Sequence, residues 1–131
     1  MIEGTCLCGE VKWKYNAIIE SATACNCTAC RRYGTLWGYG YLNNEITVSG
    51  HTQAYKRNNK VLGFHFCTVC GCVAYWLLSA PNKDGKLRIA VNLRLANNPE
   101  EVAPLLIDHF DGLDKFEDLP RDGKCIKDLW F

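Results

Sequence analysis

The sequence predicts a mainly β, compact single domain with little helix, pinned by a pair of facing cysteine knuckles. Three observations predict it. Apolar and polar residues alternate with period two, as in Val11, Trp13 and Tyr15 against Lys12 and Lys14, which is the pattern of a strand with one buried face. Glycine- and asparagine-bearing turns break such stretches at short intervals. The third observation is a shared design in Cys6-Leu7-Cys8-Gly9 and Cys67-Thr68-Val69-Cys70-Gly71. Each ends on glycine, a residue free to take the positive φ that a backbone folding around a metal often needs just after its last sulfur. Cys8-Gly9-Glu10-Val11 and Cys70-Gly71-Cys72-Val73 also continue alike, as if each knuckle launched a strand. Facing each other, the two make a zinc-ribbon-like cage of four sulfurs.

The elements follow in order. The first knuckle feeds a strand over Val11–Tyr15. Thr28–Tyr33 makes a short helical turn carrying Cys30, stopped by Gly34, and Leu36–Leu42 resumes as a strand of aromatic and glycine residues. Ile46–Val48, Gln53–Arg57 and Val61–Phe66 are further strands, separated by Ser49-Gly50 and Asn58-Asn59, and the last delivers Cys67. Cys72–Leu78, apolar and rich in aromatic and branched residues, reads as a buried strand. Leu87–Asn92 follows the turn Pro81-Asn82-Lys83-Asp84-Gly85-Lys86. Beyond Pro99 the pattern loosens: Leu105–Phe110 offers one more strand, and Asp111–Lys124 is charged and turn-rich. No linker divides the chain, so residues 1–131 are expected as one domain, with the motifs in about 2–110 and a loose tail over about 111–131.

Composition narrows the function. Fifteen basic residues against 14 acidic ones leave a net charge of +1, so no field of one sign gathers nucleic acid or an anionic membrane. Lys56-Arg57-Asn58-Asn59-Lys60 reads as a solvated turn. Met1-Ile2-Glu3-Gly4-Thr5 lacks a basic and apolar leader pattern, and no apolar run approaches a membrane span of roughly 18 residues, so a soluble, cytoplasmic protein is expected. Nine cysteines without a secretory signal argue against a disulfide framework. A redox pair at Cys27-x-x-Cys30 or Cys67-x-x-Cys70 would be expected near a βαβ pattern, which the neighbouring segments do not show.

Seven of the nine cysteines are clustered, one short of two full cages. A structural zinc is closed by four protein ligands, whereas a catalytic zinc keeps three and leaves a position for water or substrate. Four plus three therefore reads as one staple and one reactive metal, two zinc ions per chain. The middle cluster, Cys25-Asn26-Cys27-Thr28-Ala29-Cys30, is followed by Arg31 instead of glycine and stands outside the paired knuckles. Alternate side chains on a strand point the same way, so Cys25 and Cys27 reach one metal if the strand end curls, and Cys30 arrives from the next turn. Arg31 and Arg32 would offset the net negative charge of a tris-thiolate zinc. Stability totals about 5–15 kcal/mol in a typical domain, and a structural zinc supplies roughly 10–16 kcal/mol of apparent binding energy, so loss of the closed site should threaten the fold.

Taken together, Gly4-Thr5-Cys6-Leu7-Cys8-Gly9-Glu10-Val11, Cys25-Asn26-Cys27-Thr28-Ala29-Cys30-Arg31-Arg32 and Phe66-Cys67-Thr68-Val69-Cys70-Gly71 resemble, in order and spacing, the glutathione-dependent formaldehyde-activating enzymes and the related centromere protein V group. The resemblance covers roughly residues 2–110. It implies a compact β-rich zinc fold, a structural zinc on Cys6, Cys8, Cys67 and Cys70, and a catalytic zinc on Cys25, Cys27 and Cys30. It also implies a carbon–sulfur lyase-type reaction, in which a thiol such as glutathione or another small thiol joins formaldehyde or a related aldehyde to give a product like S-hydroxymethylglutathione, or the reverse. Where many relatives carry histidine or serine this chain has Asn26, a departure at a non-ligand position that bears on substrate preference.

On this reading the zinc-bound thiolate attacks the aldehyde carbon, and Arg31 or Arg32 holds a carboxylate of the thiol. The alternative is a non-catalytic zinc-stabilised binding module whose middle metal is closed by Cys72, Cys125 or a histidine. The bland expectations favour the open site: Asn26 as a turn residue, Cys72 as a buried strand cysteine, Cys125 as a free tail thiol, and His51, His65 and His109 as packed or hydrogen-bonded groups. Trp37, Tyr39, Tyr41, Tyr75 and Trp76 are expected as core, with some of them walling the pocket.

Overall fold

Alternation at Lys12–Tyr15 becomes a strand with Trp13 and Tyr15 buried and both lysines exposed. The computed structural model describes residues 1–58 and 60–130, so Asn59 of the expected Asn58-Asn59 turn lies outside the described residues. The strands run β1 (Ile2–Thr5), β2 (Lys12–Tyr15), β3 (Ser21–Cys25), β4 (Trp37–Tyr41), β5 (Ile46–Ser49), β6 (Thr52–Lys56), β7 (Leu62–Cys67), β8 (Val73–Leu78), β9 (Arg88–Asn92), β10 (Leu106–Asp111) and β11 (Glu117–Asp118). Among the described residues, helix is confined to α1 (Thr28–Tyr33), α2 (Pro99–Val102) and two 3₁₀ turns. Every strand expected from the pattern is present, with each end within one residue of its expected place.

The strands form a three-stranded sheet, β1-β2-β5, and an eight-stranded sheet, β11-β10-β3-β4-β9-β8-β7-β6. Successive residues of β9 point to opposite faces of the large sheet, and this divides the interior. Ile89 and Val91 join Trp13, Ile46 and Ile107 in the main core against the small sheet. Ala90 points the other way, into a second cluster with Trp37, Phe64 and Cys30. The cysteine-bearing helix α1 thus sits over the face that the small sheet leaves uncovered.

Sequence pattern missed β1, β3, α2 and β11. Ser21-Ala22-Thr23-Ala24-Cys25 has no large apolar residue to alternate, because β3 lies inside the sheet between β10 and β4 and needs small side chains. Its parallel partner β10 arrives from 85 residues downstream, a pairing that local pattern cannot announce. The expectation of a loose tail is corrected. Ile126 is 0% exposed within the main core, Ile107 N donates to Lys124 O at 3.0 Å, and β11 pairs with β10. Ile126, with Leu129 and Trp130 packed against the same core, docks the segment, yet these few apolar residues among charged neighbours carry no clear period.

Ile126→Ala should destabilise the protein by about 2–5 kcal/mol, the usual cost of emptying a large aliphatic core site. A denaturant or thermal melt unchanged from the parent would show that the C-terminal segment contributes nothing to the core.

Candidate metal centre

The two knuckles close alike. Cys6 N donates to Val11 O and Cys67 N to Cys72 O, both at 2.9 Å, while Gly9 and Gly71 take φ of 91° and 80°. These turns gather the sulfurs of Cys6, Cys8, Cys67 and Cys70 within 4.8 Å of one another. Cys6 Sγ lies 3.6 Å from Cys8 Sγ, which is 3.5 Å from Cys67 Sγ. A tetrahedral ion with metal–sulfur bonds of about 2.3 Å spaces its sulfurs by about 3.8 Å, so the set fits such an ion. A disulfide needs about 2.0 Å, and all nine cysteines are free. Val11 N and Val69 N point at Cys6 Sγ and Cys67 Sγ, at 3.2 and 3.4 Å. Backbone N–H groups of Cys72 and Cys8 bring the Cys70 thiol down to about 6, the direction a metal-binding sulfur requires.

The second group, Cys25, Cys27 and Cys30, also lies within 4.8 Å. Cys25 ends β3, Cys27 caps α1 by accepting from Cys30 N at 3.2 Å, and Cys30 is the buried residue of the helix. Gly34, at φ 66°, ends α1 as the sequence predicts. Trp37 Nε1 donates to Cys30 Sγ at 3.3 Å. A hydrogen bond from Cys30 lowers the Cys25 thiol to about 6, while Cys25 and burial push Cys30 far up. One shared negative charge on closely packed sulfurs is a donor set poised to release protons to a cation.

Three sulfurs here border a cavity of about 280 Å³. Its floor is aromatic: Tyr39 and Trp37 stand 5.7 and 6.4 Å from Trp76, and Trp37 lies 6.3 Å from Phe64, measured between ring centroids. Phe110 and Phe116, with centroids 4.8 Å apart, close another side. Gly112 comes so near that a Cβ there would stand 2.6 Å from Cys25 Sγ. Asn26, the residue between Cys25 and Cys27, ties this loop down: its Nδ2 donates to Asp111 Oδ1 at 3.1 Å and its Oδ1 accepts from Leu113 N at 3.0 Å. Asp111 also accepts from Asp114 N and Lys115 N. A larger cleft, about 560 Å³, adjoins through Trp37 and Tyr39 but holds no sulfur.

Arg31 and Arg32 do not border the cavity. With about 100° of rotation per helical residue, turning Cys30 inward sends both arginines outward. They are exposed, and Arg32 Nη1 donates to Thr28 O at 3.0 Å. The cation that does border it is Arg57, whose Nη2 donates to Thr28 Oγ1 at 2.8 Å. Sequence reading set Arg57 aside as part of a solvated turn, since nothing local places β6 beside α1. Gly112, Phe110 and Phe116 were equally invisible, because their approach depends on the β3–β10 pairing.

Among the described residues, neither sulfur group gains a histidine or a further cysteine. His65 bonds Thr52 Oγ1 at 2.9 Å and stacks on Tyr75, and His109 Nε2 lies 3.2 Å from Asp122. Cys125 Sγ turns to Asp128 Oδ2 at 3.2 Å. No helix among the described residues is long and apolar enough to cross a membrane.

The family model for the glutathione-dependent formaldehyde-activating enzyme matches residues 1–110, and the chain belongs to that family. Membership carries a glutathione-dependent, formaldehyde-activating type of function at the level of the family. The crystal structure of a Rhodobacter sphaeroides protein resembles this chain with a TM-score of 0.61 at 21% identity, covering 80% of this chain and 98% of that one; the likeness speaks for the fold. A search of curated proteins returns no match.

Cys67→Ser should leave the protein unfolded or insoluble, whereas Cys27→Ser should melt close to the parent with one metal fewer. Metal analysis with thermal melts checks this, and equal unfolding of both variants would erase the distinction between the two sulfur groups.

Proposed function

We propose that the protein is a zinc-dependent carbon–sulfur lyase-type enzyme of the cytoplasm that joins a small thiol to formaldehyde or a related aldehyde, or reverses that addition. Cys6, Cys8, Cys67 and Cys70 hold a structural zinc, and Cys25, Cys27 and Cys30 hold the catalytic one. The observation that supports this division is that the trio borders the cavity and none of the four does. A zinc ion on three sulfurs supplies an open Lewis-acidic position that keeps an incoming thiol deprotonated.

The remaining work belongs to side chains. The Trp37, Phe64 and Trp76 rings exclude water from the sulfur that attacks. A carbon–sulfur bond forms as the carbonyl π pair moves to oxygen, and the proton lost by the thiol ends on that oxygen through solvent. Tyr39 borders the cavity and burial raises its hydroxyl, so at neutral pH it keeps the proton that it would offer to the developing alkoxide. Thiol addition to formaldehyde is already facile in water, so little barrier lowering is asked of these groups.

Purified zinc-loaded protein should speed formaldehyde loss in the presence of a small thiol, and Cys27→Ser should fall to the uncatalysed rate. Equal rates for the parent and for the variant would reject the enzyme in favour of a zinc-stabilised binding module.

A further inference from the structure

We infer that the open groove between α1 and the end of β6 is a carboxylate subsite, in which Arg32 and Arg57 hold the glycyl end of glutathione while its sulfur lies in the cavity of Cys25, Cys27 and Cys30. This deepens the proposed reaction and rests on it. The groove, about 450 Å³, is lined by Thr28, Ala29, Arg32, Tyr33, Tyr55 and Arg57. Arg57 borders the sulfur cavity as well, so the two spaces meet there. Tyr33 of the groove also packs on Phe64 of the cavity, with ring centroids 5.2 Å apart. Arg32, which the helix turns away from the cavity, stands in this second space.

One residue holds both cations. Arg57 Nη2 donates to Thr28 Oγ1 at 2.8 Å, and Arg32 Nη1 donates to Thr28 O at 3.0 Å. Thr28 follows Cys27 directly, so these hydrogen bonds tie the pair to the sulfur trio. Among the described residues neither arginine is ion-paired with a carboxylate, and no acidic side chain lines the groove. Two like charges anchored on one residue repel, and an anion between them turns that repulsion into attraction. A guanidinium has five N–H donors in a planar fork, so each keeps donors for a carboxylate after its bond to Thr28. Thr28, Arg32, Tyr33, Tyr55 and Arg57 are all exposed, so a carboxylate enters without the cost of complete burial.

The charges also choose which end of glutathione enters. Its glycyl end carries a carboxylate alone, one residue from the thiol, whereas its γ-glutamyl end carries a carboxylate and an ammonium group. In the groove that ammonium would meet two guanidinium groups. The cleft that adjoins the cavity through Trp37 and Tyr39 has the opposite character: Glu20 and Asp118 line it, with no lysine or arginine in its described lining. Trp37 and Tyr39 lie on β4, which β9, β8 and β7 separate from β6. The two openings therefore lie apart along the sheet, and a thiol in the middle of a tripeptide can send one arm to each.

Calorimetric titration of the zinc-loaded protein with glutathione, and with glutathione esterified at its glycyl carboxylate, reads the subsite. Glutathione should bind about tenfold more tightly than the ester, and the double variant Arg32→Gln, Arg57→Gln should weaken glutathione about tenfold while sparing the ester. No binding of glutathione, equal binding of acid and ester by the unsubstituted protein, or an equal loss for both on substitution overturns the inference. The comparison of acid with ester needs no variant, so it stands even where the double variant folds poorly. Formaldehyde loss separates the two claims. The expected preference for the acid with no thiol-dependent loss rejects the reaction and keeps the subsite, whereas loss driven equally well by acid and ester at low concentration keeps the reaction and rejects the subsite.

Discussion

Four sulfurs brought within 4.8 Å of one another from distant parts of the chain are the constraint on which the rest depends. Cys8 and Cys67 are 59 residues apart in sequence and 3.5 Å apart in space. Thiolates at that spacing repel unless a cation lies between them, so with the proposed zinc in place the cage is both a requirement and a source of stability. Closing it fixes the end of β7 against the turn that launches β2, and so holds the small sheet to one face of the large one. That leaves the opposite face of the large sheet for the chemistry proposed above.

The open face inherits its precision from this arrangement. β3 and β4 carry Cys25, Thr23, Trp37 and Tyr39 into one layer, and β9, β8 and β7 extend the floor through Ala90, Trp76 and Phe64. Cys30 is oriented by Trp37 Nε1 and Cys27 by the helix it caps. Asn26 links the loop between Cys25 and Cys27 to residues 111–115, so the wall opposite the floor is hydrogen-bonded to the sulfur trio's own segment. The trio is therefore held from the strand, the helix and the far loop at once.

Much of this was legible in sequence because it is local. Gly9 and Gly71 mark the knuckles through backbone conformation, Gly34 marks the end of α1, and the lysine alternation marks β2. The cysteine grouping into four and three, read from the glycine that follows Cys8 and Cys70 but not Cys30, coincides with the two groups in space. What was illegible depends on distant pairing. The parallel match of β3 with β10 brings Gly112 and Phe110 to Cys25, and the β6–β7 hairpin brings Arg57 to Thr28. Arg31 and Arg32, next to Cys30 in sequence, stay outside the cavity for the same reason: adjacency along a helix is not adjacency in space. Ile126 shows the same limit at the C-terminus, where it is buried and Leu129 and Trp130 pack beside it in a segment whose pattern gives no period.

The central claim is that one metal position is closed by sulfur and the other is open to an outside ligand. X-ray absorption at the zinc edge measures it, on protein with both positions filled, before and after addition of a small thiol. The account predicts an average below four sulfurs per zinc at first, rising to four with the thiol. Four sulfurs per zinc from the outset, unchanged by thiol, would mean that both positions are closed and would contradict it.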